Sequence, residues 1–195
     1  KKDYERLNIL EPDNWCKATD YIKEQIALIK RLEEKEYTYK TSDGIYFDTS
    51  KLKDYGNLAL LNKEGLQSGK RVKAGEKKNK TDFALWKSAA PEHIMRWASP
   101  WGDGFPGWHI ECSAMATKYL GANFDIHGGG MDLQFPHHES EIAQSTICNH
   151  TAPVRYWMHN NMITINGKKM GKSYNNVIKL TEMFSGNHEL LSQPF

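Results

Sequence analysis

From Trp108 onward the chain alternates helix-like and strand-like segments, and that alternation constrains the fold more than any other feature. Residues 108–120 suit a helix, with Gly121 placed to cap its C-terminus. Phe124-Asp125-Ile126-His127 reads as a short strand running into Gly128-Gly129-Gly130. Pro136 suits the first turn of a second helix, 136–149, and Val154 to Ile165 is rich in β-formers. Strands that alternate with helices this way predict an α/β fold with a parallel sheet.

The region before it reads differently. Residues 1–17 hold Pro12, Asp13 and Asn14 and suit a loop. Ile22, Ile26, Ile29 and Leu32 keep helical spacing, and Thr19-Asp20 can cap that helix, so a helix is predicted over 19–36. Asp43-Gly44 lies between Tyr37-Thr38-Tyr39 and Ile45-Tyr46-Phe47, a hairpin signal. Residues 48–80 are dominated by Lys, Gly, Asn and Glu and read as a solvated excursion, with an RNA-contacting patch as the alternative. Asp82 to Trp86 reads as a buried strand. Pro100, Gly102, Gly104, Pro106 and Gly107 make 98–107 turn-rich, as expected of a boundary between two domains.

With 26 Lys and Arg against 24 Asp and Glu, the formal charge is only +2, which neither requires nor excludes a nucleic-acid partner. No apolar run is long enough to span a bilayer, and the first residues hold no signal-peptide core. Three sparse cysteines (16, 112 and 148) suit a reducing cytoplasm.

Six of the eight histidines (109, 127, 137, 138, 150 and 159) fall between positions 109 and 159. His137 and Glu141 are four apart and share a helix face, and Cys112 opens another helix. Thiolate, imidazole and carboxylate together favour zinc over magnesium or calcium. On spacing alone two readings stand: a metal site, or a buried cysteine beside a surface His–Glu pair. The triple glycine could admit a ligand's close approach, with Asp132 accepting from a ribose, or be a flexible turn. Lys169-Met170-Gly171-Lys172-Ser173 could meet a polyphosphate or be a solvated basic loop.

The order of these segments closely resembles cysteinyl-tRNA synthetases, a family of class I aminoacyl-tRNA synthetases. The resemblance rests on Asp82-Phe83-Ala84-Leu85-Trp86-Lys87, Pro106 to Met115, Asp125 to Gly130, Phe135-Pro136-His137-His138-Glu139, Glu141 to Ser145 and Lys169 to Ser173. It implies the second half of a Rossmann-like nucleotide-binding domain, over 101–165, with an α+β connective insertion over 20–100. Residues 1–19 would be a lead-in, and 166–195 the signature loop and the start of a stem-contact region. It implies that Cys112, His137 and Glu141 are zinc ligands, and that the zinc binds the substrate thiolate. Trp108, His109 and His127 would wall the cysteine pocket. Gly130 and Asp132 would meet the adenosine ribose. Lys169, Met170, Lys172 and Ser173 would bind ATP with its Mg2+, the two lysines acting catalytically on the phosphates. The implied partners are L-cysteine, ATP and tRNA(Cys), with a monomeric, cytoplasmic parent and no membrane.

The chain departs from the family in two respects. Gly171 stands where the family usually has Ser, from which only tuning is expected. The His-Ile-Gly-His-like motif and a first zinc cysteine are not among these residues, nor is an anticodon-binding domain. An internal piece of a longer enzyme, not active alone, is therefore expected. Two other readings are a mycothiol-type cysteine ligase and a non-catalytic, zinc-stabilised RNA-binding module.

Overall fold

The computed structural model describes residues 1–61 and 76–184. In chain order its elements are α1 (Lys2–Arg6), α2 (Ile22–Glu34), β1 (Thr38–Thr41), β2 (Gly44–Phe47), β3 (Phe83–Ser88), β4 (Gly104–Pro106), α3 (Trp108–Leu120), β5 (Phe124–Gly130), α4 (Glu139–Asn149), β6 (Val154–Asn160), β7 (Thr164–Ile165), β8 (Lys168–Lys169) and α5 (Leu180–Phe184). The chain forms two compact units: one of residues 16–160, the other of 1–15 and 161–195.

The larger unit carries the core. The apolar stripe read from Ile22, Ile26, Ile29 and Leu32 forms one face of α2, where Leu28, Ile29 and Leu32 are buried. They pack with Ile45 and Phe47 of β2, Leu85 and Trp86 of β3, Ile110 of α3 and Ala143 of α4. A short 3-10 turn, Ala18–Tyr21, precedes α2, so the α-helix starts later than expected. Neither the residue before that turn nor the one before α2 makes a side-chain cap bond, which corrects the cap expected from Thr19-Asp20.

Strands β1 to β4 form one antiparallel sheet in chain order. The Asp43-Gly44 hairpin joins β1 to β2 as its sequence predicts. The turn-rich stretch 98–107 contains β4, whose Pro106 pairs with Trp86. Residues on both sides of position 100 thus share a sheet and a core. Close approach explains Gly107: a Cβ there would lie 1.9 Å from the Ala84 carbonyl oxygen. That glycine lets α3 begin directly against β3.

Helix α3 matches the predicted span, with Gly121 at positive φ closing it. β5 and β6 pair in parallel, from Phe124 with Val154 to Gly130 with Asn160. The three glycines are therefore part of the strand, not a turn after it, in register with Met158, His159 and Asn160. Pro136 does not open the second helix. It follows extended Phe135, as the residue before a proline prefers, across a cis bond within the turn Gln134–His138, and α4 starts at Glu139. The β-prone stretch 154–165 divides into β6 and β7.

In the smaller unit β7 and β8 make an antiparallel hairpin around Asn166-Gly167. Tyr4 stacks on Trp15 at 5.5 Å between ring centroids. Of the predicted excursion at 48–80, positions 62–75 lie outside the described residues, as do 185–195 of the C-terminal segment.

Candidate metal centre

Helix α3 presents Cys112 one turn from its start, and the turn before α4 presents His137 one helical turn ahead of Glu141. Each of the three offers a donor atom, all within 4.8 Å of one another. His137 and Glu141 are only 4% and 3% exposed. His137 Nε2 lies 3.0 Å from Glu141 Oε1, yet Oε1 has no hydrogen-bond partner. The two atoms are close but not aligned as donor and acceptor. Donors that share a metal at about 2.0–2.2 Å stand in this relation, ~3.4 Å apart at tetrahedral angles. A buried carboxylate oxygen without a donor is costly, and a shared cation removes that cost. The residues present fit zinc.

His109 supports this arrangement from α3. Its Nδ1 lies 2.9 Å from Nδ1 of His137. Burial, assisted by His137, pushes the His109 pKa down to about 3, so its ring is neutral at physiological pH. One of the two facing nitrogens must carry the proton. When His137 donates it, His137 Nε2 keeps its lone pair toward Cys112 and Glu141, as metal-bound imidazoles do. Trp108, half exposed, packs on His137 with centroids 4.4 Å apart. Burial pushes the Cys112 thiol up to about 12, with Glu141 and Glu111 adding to the effect. A cation at this point would reverse that shift.

On the other side of Glu141, His127 Nδ1 stands 3.7 Å from Oε2. Its ring stacks on Trp157, and burial lowers its pKa. His138 Nδ1 is 2.7 Å from His159 Nε2. Neither His138 nor His159 was assigned a role from the sequence; their signal was the histidine enrichment itself.

At the C-terminal end of β5, Asp132 folds back over Gly130. A Cβ at position 130 would meet Asp132 Oδ1 at 2.5 Å, so only glycine leaves the carboxylate that place. Open α/β sheets bind ligands at such strand ends.

Lys169, Met170, Lys172 and Ser173 belong to the smaller unit. Lys169 ends β8 and is exposed, as are Lys172 and Ser173 on a single 3-10 turn. Asn176, which sequence reasoning missed, clamps this loop. It donates to the Lys169 carbonyl at 3.1 Å and accepts from the Gly171 N–H at 2.9 Å.

Residues 1–190 match the family of class I (C) tRNA synthetases, catalytic domain, and the chain belongs to that family. Among curated relatives it is 56% identical to the cysteine–tRNA ligase of Bacteroides fragilis, covering all of this chain and 40% of that protein. It is 55% identical to the enzyme of that name from Cytophaga hutchinsonii, over 97% of the chain and 39% of the relative. For that of Chlorobaculum tepidum the figures are 53%, 94% and 38%. The chain spans about two fifths of the length of the relatives it matches. An α/β class I catalytic fold is thereby established. No helix among the described residues is long and apolar enough to cross a membrane.

Proposed function

We propose that the protein to which this chain belongs is a cysteine–tRNA ligase of the cytoplasm. In the first step the cysteine carboxylate attacks the α-phosphorus of ATP and pyrophosphate leaves. In the second, a 3′-terminal ribose hydroxyl of tRNA(Cys) attacks the carbonyl of the adenylate and AMP leaves. The observation that carries this reading is the Cys112–His137–Glu141 set, half-buried at the thiol and buried at the other two, with its unpartnered carboxylate oxygen and Trp108 packed on His137.

Cys112, His137 and Glu141 would hold zinc. Bound there, the metal supplies a thiophilic Lewis acid that a serine hydroxyl cannot match, so cysteine is selected without editing. His109 fixes the His137 ring, and Trp108 and His127 border the space in which the substrate side chain sits. Gly130 and Asp132 receive the adenosine ribose. Lys169 and Lys172 offset the charge of the Mg2+-bound phosphates, with Met170 and Ser173 shaping the loop. Residues 20–100 form the connective insertion and 101–165 half of the nucleotide-binding domain. The names of the relatives favour transfer to tRNA over a sugar acceptor or a non-catalytic role.

The test is pyrophosphate–ATP exchange by the full-length protein. Exchange should require cysteine, reject serine and fall with Cys112→Ala as metal is lost. Exchange indifferent to cysteine would overturn the assignment.

A further inference from the structure

The turn between β7 and β8 holds the one Asn-Gly pair in the chain. Asn166 and Gly167 are both exposed, and both take positive φ, 49° and 73°. That is the backbone of the two-residue type I′ turn, which this pair favours. We propose that the turn is a site of spontaneous covalent modification, in which Asn166 is converted through a cyclic succinimide to isoaspartate.

The chemistry needs only water. The Gly167 backbone nitrogen gives up its proton to solvent and attacks Cγ of Asn166. The bond from Cγ to the side-chain nitrogen breaks, and that nitrogen takes a proton from solvent and leaves as ammonia. Water then opens the ring at one of its two carbonyls. Opening at Cγ restores the backbone as aspartate. Opening at the Asn166 backbone carbonyl leaves the chain running through Cγ, as isoaspartate. Either way one amide and one water become one carboxylate and one ammonium, and nothing is oxidised or reduced.

Three observations support it. A Cβ at Gly167 would meet nothing within 4 Å, so no neighbour crowds the attacking nitrogen. Lys168 and Lys169 follow directly, and nearby cations favour an amide nitrogen that has lost its proton. Among the described residues the hairpin is held by the pairs Thr164 with Lys169 and Ile165 with Lys168, and by the Met170 N–H donating to the Ile163 carbonyl at 2.9 Å. A two-stranded ribbon so short opens readily, and opening frees the rotation that ring closure needs. The other hairpin turn, Asp43-Gly44, is shut by contrast. A Cβ at buried Gly44 would lie 2.0 Å from the Trp86 carbonyl oxygen, and the Asp43 carboxylate accepts from Thr41 at 2.7 Å and Tyr46 at 3.1 Å. Isoaspartate adds one carbon to the main chain, which a two-residue loop cannot hold in register. Lys169 ends β8, so its placement shifts with the turn. If Lys169 meets the ATP phosphates, as proposed above, exchange falls; only that consequence rests on the proposed function.

The experiment is incubation of the full-length protein in mildly alkaline buffer, with isoaspartate located by isoaspartyl methyltransferase labelling and electron-transfer fragmentation of its peptides. Isoaspartate should accumulate at 166 in excess over aspartate, while Asp43 stays unchanged. Asn166→Gln should form none at that position. Asn166→Asp, which suits the same turn, should when fresh keep the wild-type rate of pyrophosphate–ATP exchange. The aged wild type should lose exchange in proportion to its isoaspartate. Asn166 left intact in the folded protein, while the urea-unfolded chain is converted, overturns the proposal. Isoaspartate without loss of exchange overturns the link to Lys169 alone. A fresh protein without cysteine-dependent exchange overturns the proposed function instead, and the isoaspartate count still reads the turn.

Discussion

His109 and His137 meet nitrogen to nitrogen, Nδ1 to Nδ1 at 2.9 Å, inside the packed start of α3. The contact orients the His137 ring and, when His137 donates the shared proton, leaves the lone pair of its other nitrogen facing Cys112 and Glu141. Loss of an orienting partner of this kind typically costs about 10–100-fold in metal affinity. His109→Ala should therefore bind zinc that much more weakly in chelator competition, with an unchanged far-ultraviolet spectrum. Equal affinity in the two proteins would show that His137 is held by its backbone alone.

The Cys112 thiol, raised to about 12 by its burial and by Glu141 and Glu111, is protonated throughout the neutral range. Metal binding must displace that proton, since the thiolate is the ligand. Zinc affinity should rise with pH by about tenfold per unit near neutrality, for the one thiol proton. Calorimetry in buffers of different ionisation enthalpy would count it. Cys112→Ala should lose that proton release.

The neutral histidines also set the response to acid. His109 and His138 have pKa values lowered to about 3 and about 4, both chiefly by burial, from an ordinary 6.5. Between those values the unfolded chain binds more protons than the folded one, so stability falls as pH falls. The metal-stripped protein should lose stability from about pH 6.5 down to about pH 4, followed by urea midpoints. A flat midpoint across that window would count against both rings being buried.

Glu139 is 2% exposed, and its carboxylate accepts from the backbone N–H of Gly56 at 3.0 Å and of Ala59 at 2.8 Å. It ties the loop after β2 to the first turn of α4, between His137 and Glu141. Glu139→Ala strands those donors, and the unmet donors should lower stability by about 1–3 kcal/mol in denaturant titration. Glu139→Gln keeps an acceptor oxygen and should recover part of the loss.

Residues with local partners were legible in the sequence. The Asp43-Gly44 hairpin, the span of α3 to Gly121 and the one-turn spacing of His137 and Glu141 follow from neighbours a few positions away. What was hidden depends on distant chain. Gly129 reads as a loop residue until the ring of His138 is seen against it. Glu139 carries no local signal of its role because its partners lie 83 and 80 positions earlier. The turn at 98–107 reads as a boundary because its pairing with β3 leaves no local signature. Cys112 became a plausible ligand through the surrounding family words, and the unpartnered Glu141 oxygen adds a physical reason for it.

The family resemblance sets a serine against Gly171, whose backbone has no need of glycine. Its φ is −173°, extended geometry open to any residue. A Cβ there would find Tyr174 Cδ2 at 3.7 Å and Ser173 Oγ at 3.9 Å, ordinary contact distances. The Asn176 side chain holds this stretch through the Lys169 carbonyl and the Gly171 N–H, backbone groups that a new side chain at 171 leaves in place. Gly171→Ser should then fold as well as the parent and gain slightly from reduced freedom in the unfolded chain, by about 0.4–1 kcal/mol. Its exchange rate should stay within a few-fold of the wild type, because Lys169 and Lys172 are unchanged. Asn176→Ala, by contrast, releases the Lys169 carbonyl and the Gly171 N–H together, and should lower the exchange rate far more than Gly171→Ser does. If the two variants fall equally, the loop's set geometry is not what positions the lysines.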